Sequence, residues 1–160
     1  MGTRGVYGFR INQRDKVTYN HFDSYPEFLG KQILDYVART PIEKMVEAAS
    51  RIILVDSDSK PSLELIRRYK KYADLGVSEQ TYQEWYCLLR KTQGDLSPYN
   101  EDLRHMIDNR ANLADSLFCE WAYIINLDSK RFEAYRGFNK NPAAKGRYAK
   151  LRVNDNEGYR

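Results

Sequence analysis

Two short runs near the start of the chain read as pleated strands: Arg4 to Ile11 (RGVYGFRI) and Lys16 to Phe22 (KVTYNHF). Both are rich in Val, Tyr, Phe, Thr and Ile, which suit a half-buried pleated surface. Between them Asn12-Gln13-Arg14-Asp15 is a polar segment of the length that joins antiparallel strands. With those four residues as the loop, Ile11 pairs with Lys16, Gly8 with Tyr19, Val6 with His21 and Arg4 with Asp23. Side chains alternate along a strand. One face then carries Arg4, Val6, Gly8, Arg10, Val17, Tyr19, His21 and Asp23. The other carries Tyr7, Phe9, Ile11, Thr18, Asn20 and Phe22, a more apolar set expected to pack on helices.

The middle of the chain has helical spacing. After Ser24-Tyr25-Pro26, the residues Phe28, Leu29, Ile33, Leu34, Tyr36 and Val37 form one apolar side through Arg39. Thr40-Pro41-Ile42-Glu43 reads as a capping box with Pro in the first turn. The helix it opens is expected to bury Ile42, Met45, Val46, Ala49, Ile52 and Ile53. A third helix follows Pro61 with Leu63, Ile66, Tyr69 and Tyr72 at helical intervals, flanked by Arg67, Arg68, Lys70 and Lys71 as a solvated face. Ser78 is placed to cap a fourth, carrying Tyr82, Trp85, Tyr86, Leu88 and Leu89 and ended by Gly94. Leu103, Met106 and Ile107 predict a short fifth helix with His105 on its exposed side.

Leu117 to Asn126 (LFCEWAYIIN) is the most strand-like run, and its near-continuous hydrophobicity predicts a central strand covered on both faces. Leu127 to Lys130 turns it into a second strand, Arg131 to Arg136. Beyond Gly137 the chain becomes a basic, loop-like tail in which Tyr148 to Val153 is a candidate edge strand. The expectation is α+β: an antiparallel sheet built from an N-terminal and a C-terminal hairpin, packed against four or five intervening helices. One domain spans 1–160, divided into the hairpin and polar cluster (1–26), a helical middle (27–110), a second hairpin (117–137) and the basic tail (138–160).

Composition narrows the function classes. The 160 residues suffice for one core, and apolar and charged fractions of 42% and 30% are ordinary for a globule. Thirteen tyrosines are not ordinary; phenols supply amphipathic contact surface for ligands or partners. A net charge of +4 favours anionic partners, but the basic residues are scattered rather than striped, which argues against extended nucleic acid. No apolar run reaches the about 18 residues of a membrane span. Cys87 and Cys119 have neither metal nor redox spacing, so a reduced, cytoplasmic protein without metal or cofactor is expected. Homo-oligomerisation is compatible with all of this.

The candidate chemistry lies in the polar cluster Tyr19 to Tyr25. A guanidinium beside a carboxylate favours the ionised acid, and a neighbouring imidazole exchanges protons near neutrality. Arg4 and Arg10 are candidates for holding phosphate, with Tyr19 or Tyr25 stacking a base and Asn20 beside them. His21 is the candidate general acid or base, oriented by Asp23 or by Glu120, which interrupts the late apolar strand. Glu120 is either a buried carboxylate paired with Arg4, His21 or Arg136, or a strand-end residue in water.

The opening Met1-Gly2-Thr3-Arg4-Gly5, the segment from Tyr19 to Pro26 and the run Cys119-Glu120-Trp121-Ala122-Tyr123 resemble a family of small uncharacterised proteins of phages, bacteria and fungi. A remoter likeness is to N-terminal-nucleophile hydrolases, including class II glutamine amidotransferases. Arg4-Gly5-Val6-Tyr7-Gly8 resembles their opening Cys-Gly-Ile-x-Gly, and the order hairpin, helices, hairpin is similar. Arg4 occupies the nucleophile's position, so that likeness implies Thr3 as nucleophile after removal of Met1 and Gly2. The leading expectation is a site that binds an anionic, nucleotide-like small molecule such as a nucleotide signal, with metal-independent hydrolysis as its active version. The alternatives are an amidohydrolase of the N-terminal-nucleophile type, or a degenerate relative of it, and a protein-interaction or inhibitor module.

Overall fold

The computed structural model describes residues 3–114 and 119–137. The basic tail and its candidate edge strand lie outside these residues. Strands β1 (Gly5–Ile11) and β2 (Arg14–Asn20) form the expected N-terminal hairpin. Its turn holds two residues rather than four: Asn12 and Gln13 both have positive φ (52° and 63°), and Ile11 pairs with Arg14. This is the twist-matched two-residue connection of antiparallel strands. The left-handed pair is held from outside, because both Asn12 N–H and Gln13 N–H donate to the Asp128 carboxylate at 2.8 and 2.7 Å. Arg14 and Asp15 therefore join the ladder, and Gly8 opposes Val17 while Val6 opposes Tyr19. The shift in register is two residues, which leaves every side chain within the ladder on its expected face, while Phe22, beyond its end, is exposed rather than packed on helices.

Gly8 is required where it stands. Its φ is +156°, and a Cβ there would lie 2.0 Å from the Lys16 carbonyl oxygen.

The late apolar run forms β5 (Trp121–Asn126), followed by β6 (Arg131–Arg136). The sheet order is β2-β1-β5-β6, so the fold is α+β with both hairpins in one sheet. The hairpins meet through a parallel pairing of β1 with β5, from Gly5 opposite Trp121 to Arg10 opposite Asn126. These two strands are central and covered on both sides, as the near-continuous hydrophobicity of β5 requires. Tyr7, Phe9, Tyr123 and Ile125 face the main core, while Val6, Ala122, Ile124 and Tyr135 form a smaller cluster on the opposite face with Leu113 and Cys119.

Helices α1 (Lys31–Arg39) and α2 (Ile42–Arg51) supply Leu29 (just before α1), Ile33, Tyr36, Met45 and Ala49 to the main core. A wide turn over Pro26–Gly30 leads into α1. Burial of a side chain the size of Leu29 or Ile33 contributes about 2 kcal/mol. The expected capping box is not formed: α2 starts behind Pro41 without a side-chain cap. Val46 and Ile53 are exposed rather than buried, because the α2 stripe runs through Met45, Ala48, Ala49 and Ile52. Its C-terminus is instead satisfied by Lys16, whose Nζ donates to the carbonyls of Ala49 (2.8 Å) and Ile52 (2.9 Å).

The middle departs from expectation in two further places. Leu103, Met106 and Ile107 do not make a helix; His105–Ile107 is strand β4, parallel to β3 (Ile53–Val55). Helix α3 (Leu63–Tyr69) is capped by the Ser62 side chain, but the helix expected from Ser78 shrinks to α4, one turn over Trp85–Leu88. Ser78 and Gln80 have φ of 50° and 55°, and the Ser78 hydroxyl donates to Glu84 instead of capping. His105 is half-buried, not exposed, stacked on Trp85 and hydrogen-bonded to the Tyr69 hydroxyl at 2.7 Å. Among the described residues no helix is long and apolar enough to cross a membrane.

Candidate functional site

Strand β2 is an edge of the sheet. Its outward backbone groups are covered by two loop residues, Asn109 and Gln93, instead of another strand. Asn109 N–H donates to the Val17 carbonyl (3.1 Å), while Asn109 Oδ1 accepts from Tyr19 N–H (3.0 Å) and from the Thr18 hydroxyl (3.2 Å). Gln93 Oε1 accepts from His21 N–H (3.0 Å). Behind this tethered edge lies a cavity of about 350 Å³, lined by Tyr7, Tyr19, Tyr86 and Tyr99, by Gln93, Asn109 and Asn112, and by Leu89 and Ile107. Its size and its mixture of aromatic walls with a few polar groups are those of a small-molecule site.

His21 stands at the mouth. Its Nδ1 is 2.8 Å from the Tyr19 hydroxyl, and its ring meets Phe22 edge-on with centroids 4.5 Å apart. Burial lowers the His21 pKa, and the positive charges of Arg90 and Arg4 lower it further, so the imidazole is neutral at pH 7. Burial raises the Tyr19 pKa to about 12 and keeps the phenol protonated. Beyond His21, a shallower depression is shared by Phe22, Ser78, Tyr86 and Arg90. The Arg90 guanidinium lies over the Phe22 ring, 5.6 Å from its centroid, and among the described residues its buried Nε has no hydrogen-bond partner.

The structure brings together only part of the expected set. Tyr19 and His21 line the cavity, and Arg4 acts on both through its charge. Arg10 does not belong to the site: it is ion-paired to Asp15 at 3.2 Å, near the turn end of the hairpin. The strand rise puts it about 13 Å along β1 from the residue opposite Tyr19. Asn20 holds the following loop, donating to the Phe22 carbonyl and the Ser24 hydroxyl (2.6 and 2.9 Å). Asp23 is exposed with φ of 53° and lines a separate depression with Asn20, Lys31 and Arg90. Tyr25 is exposed and lines none of these hollows.

Glu120 sits half-buried just before β5, its N–H donating to the Arg4 carbonyl at 2.9 Å, and it too lies off the cavity wall. The orienting partner of His21 is therefore a phenol, not Asp23 or Glu120. Thr3, the hydroxyl singled out by the amidotransferase likeness, is buried with its carbonyl accepting from Ser24 N–H. Tyr86, Arg90, Gln93, Tyr99 and Asn109 complete the site without any signal in the sequence beyond the abundance of tyrosine. Among the described residues no three His, Cys, Asp or Glu side chains converge as metal ligands. Comparison with family models, with curated proteins and with solved structures finds no match.

Proposed function

We propose that the chain binds a small nucleotide-like ligand, with the base in the tyrosine-walled cavity and the anionic group at its mouth beside Arg90, in the field of Arg4. The carrying observation is the juxtaposition of an uncharged aromatic and amide-lined cavity with a guanidinium whose buried Nε has no partner among the described residues. Phenol faces stack planar rings. A planar guanidinium is the donor best matched to phosphate oxygens. The two features adjoin at His21 and Tyr86, which line both hollows.

A hydrolytic version of this reading draws on the His21–Tyr19 pair. A neutral imidazole next to the anion position is in the protonation state of a general base, and Tyr19 supports its orientation through Nδ1. The test of both versions is a thermal-shift screen of nucleotides and nucleosides, with product analysis of every compound that binds. Stabilisation by nucleotides is expected. A full library without a shift removes the reading, and binding without product leaves sequestration as the function.

A further inference from the structure

We infer that the ligand presents a lactam edge, a ring carbonyl beside a ring N–H as in uracil or a 6-oxopurine, in preference to the amino-substituted edge of cytosine or adenine. The inference rests on the nucleotide-like reading and concerns the same cavity.

Side-chain amides usually offer a ligand either end. Here two of them cannot. The Asn109 oxygen is occupied by Tyr19 N–H and the Thr18 hydroxyl, and the Gln93 oxygen by His21 N–H. The backbone N–H of Tyr19 and of His21 fixes which end is oxygen, because rotating either amide would set donor against donor. Both residues line the cavity, Gln93 also lining the depression beside Asp23, and among the described residues no hydrogen bond runs from either amide nitrogen. In this proposal the wall offers a ligand the two NH₂ groups as donors. The Thr92 hydroxyl donates to the Leu89 carbonyl (2.6 Å), and the Thr18 hydroxyl is spent on Asn109, so both are left as acceptors only. Fixed donors with acceptors close by fit a carbonyl next to a ring N–H. An exocyclic amino group placed against the amides would meet another donor, leaving both desolvated without a partner.

The experiment compares uridine with cytidine and inosine with adenosine by calorimetry, using neutral nucleosides so that phosphate contributes nothing to the difference. Uridine and inosine are expected to bind about tenfold or more tightly than their amino counterparts, the discrimination typical of a matched base edge. Gln93→Glu and Asn109→Asp each keep an oxygen for the backbone N–H and exchange the NH₂ for a second oxygen. Either folded variant is expected to lose or reverse the preference. Equal affinities, or a preference for cytidine and adenosine, overturn the inference while leaving nucleotide binding intact. So does an oxo preference that both variants retain. Failure of all four nucleosides and of their 5′-monophosphates to bind removes the underlying reading instead.

Discussion

Asn109 and Tyr19 are joined the way neighbouring strands are: the Asn109 side-chain oxygen takes the Tyr19 N–H at 3.0 Å, while the Asn109 backbone N–H reaches the Val17 carbonyl at 3.1 Å. One residue from the loop after β4 thus closes the open edge of β2 and forms part of the cavity wall. Asn109→Ala leaves the Tyr19 N–H and Thr18 hydroxyl without their acceptor and is expected to cost about 1–3 kcal/mol in urea unfolding. Asn109→Asp keeps the acceptor and should cost clearly less; an equal loss for the two variants contradicts this role.

Gly8→Ala tests the centre of the sheet. The added Cβ meets the Lys16 backbone oxygen at 2.0 Å, and the strand cannot yield without breaking the β1–β2 ladder. A loss of at least about 3 kcal/mol is expected, from a clash combined with a backbone angle unsuited to L side chains. A variant with a near-native denaturation midpoint would show that the register differs.

Lys16 anchors α2 to the hairpin. It is 9% exposed, yet its ammonium reaches the two last-turn carbonyls where a helix dipole favours a cation. Lys16→Met retains the aliphatic stem and removes the donors, with an expected cost of about 1–3 kcal/mol. Exchange of the Ala49–Ile53 amides with deuterated solvent should quicken more than exchange in β5, placing the loss at the helix end.

Both histidines make the fold sensitive to mild acid. Burial is the first cause of the lowered pKa in each, supplemented by Arg90 and Arg4 at His21 and by Arg68 at His105. The Tyr69 hydroxyl, which accepts from Arg104 N–H, lies 2.7 Å from His105 Nδ1 and ties the ring to the core. A folded-state pKa below the unfolded value near 6.5 means that the unfolded chain binds more protons in the window beneath it. The stability contributed by neutral histidine is complete above about pH 6.5 and declines as pH falls through that value towards the folded pKa. Unfolding free energies at pH 7.5 and 5 should show this decline, and His21→Gln or His105→Gln should each flatten it. A slope unchanged by both substitutions rules the histidines out as its source.

The division between what the sequence reveals and what it hides follows from the range of the interactions. Strand faces were legible because alternation survives a two-residue error in register, and β5 announced itself by being apolar on both sides. The two-residue turn is not legible locally because the carboxylate that stabilises Asn12 and Gln13 comes from Asp128, in the turn between β5 and β6. Leu103, Met106 and Ile107 match a helix as well as a short strand, and the partner strand that decides between them is β3. His21 and Tyr19 stood out as a local cluster of polar chemistry. Arg90, Gln93 and Asn109 did not, since they reach the site only when separate loops fold over the β2 edge.

Arg90 offers the sharpest separation of binding from mere cavity filling. A cation stacked on Phe22, its buried Nε without a partner among the described residues, loses little structural bonding when replaced by the neutral Gln, but a phosphate at the mouth would lose a charge-assisted contact. Such contacts contribute about 1.5–3 kcal/mol. Arg90→Gln is therefore expected to weaken a 5′-monophosphate by about 10- to 150-fold while changing the affinity of the matching nucleoside by less than about threefold. Tyr86→Ala, which removes an aromatic wall shared by both hollows, should weaken nucleoside and nucleotide alike. Calorimetric titration of the two ligands against the two variants measures all four affinities. If Arg90→Gln weakens both ligands equally, the guanidinium supports the wall and does not receive the anion.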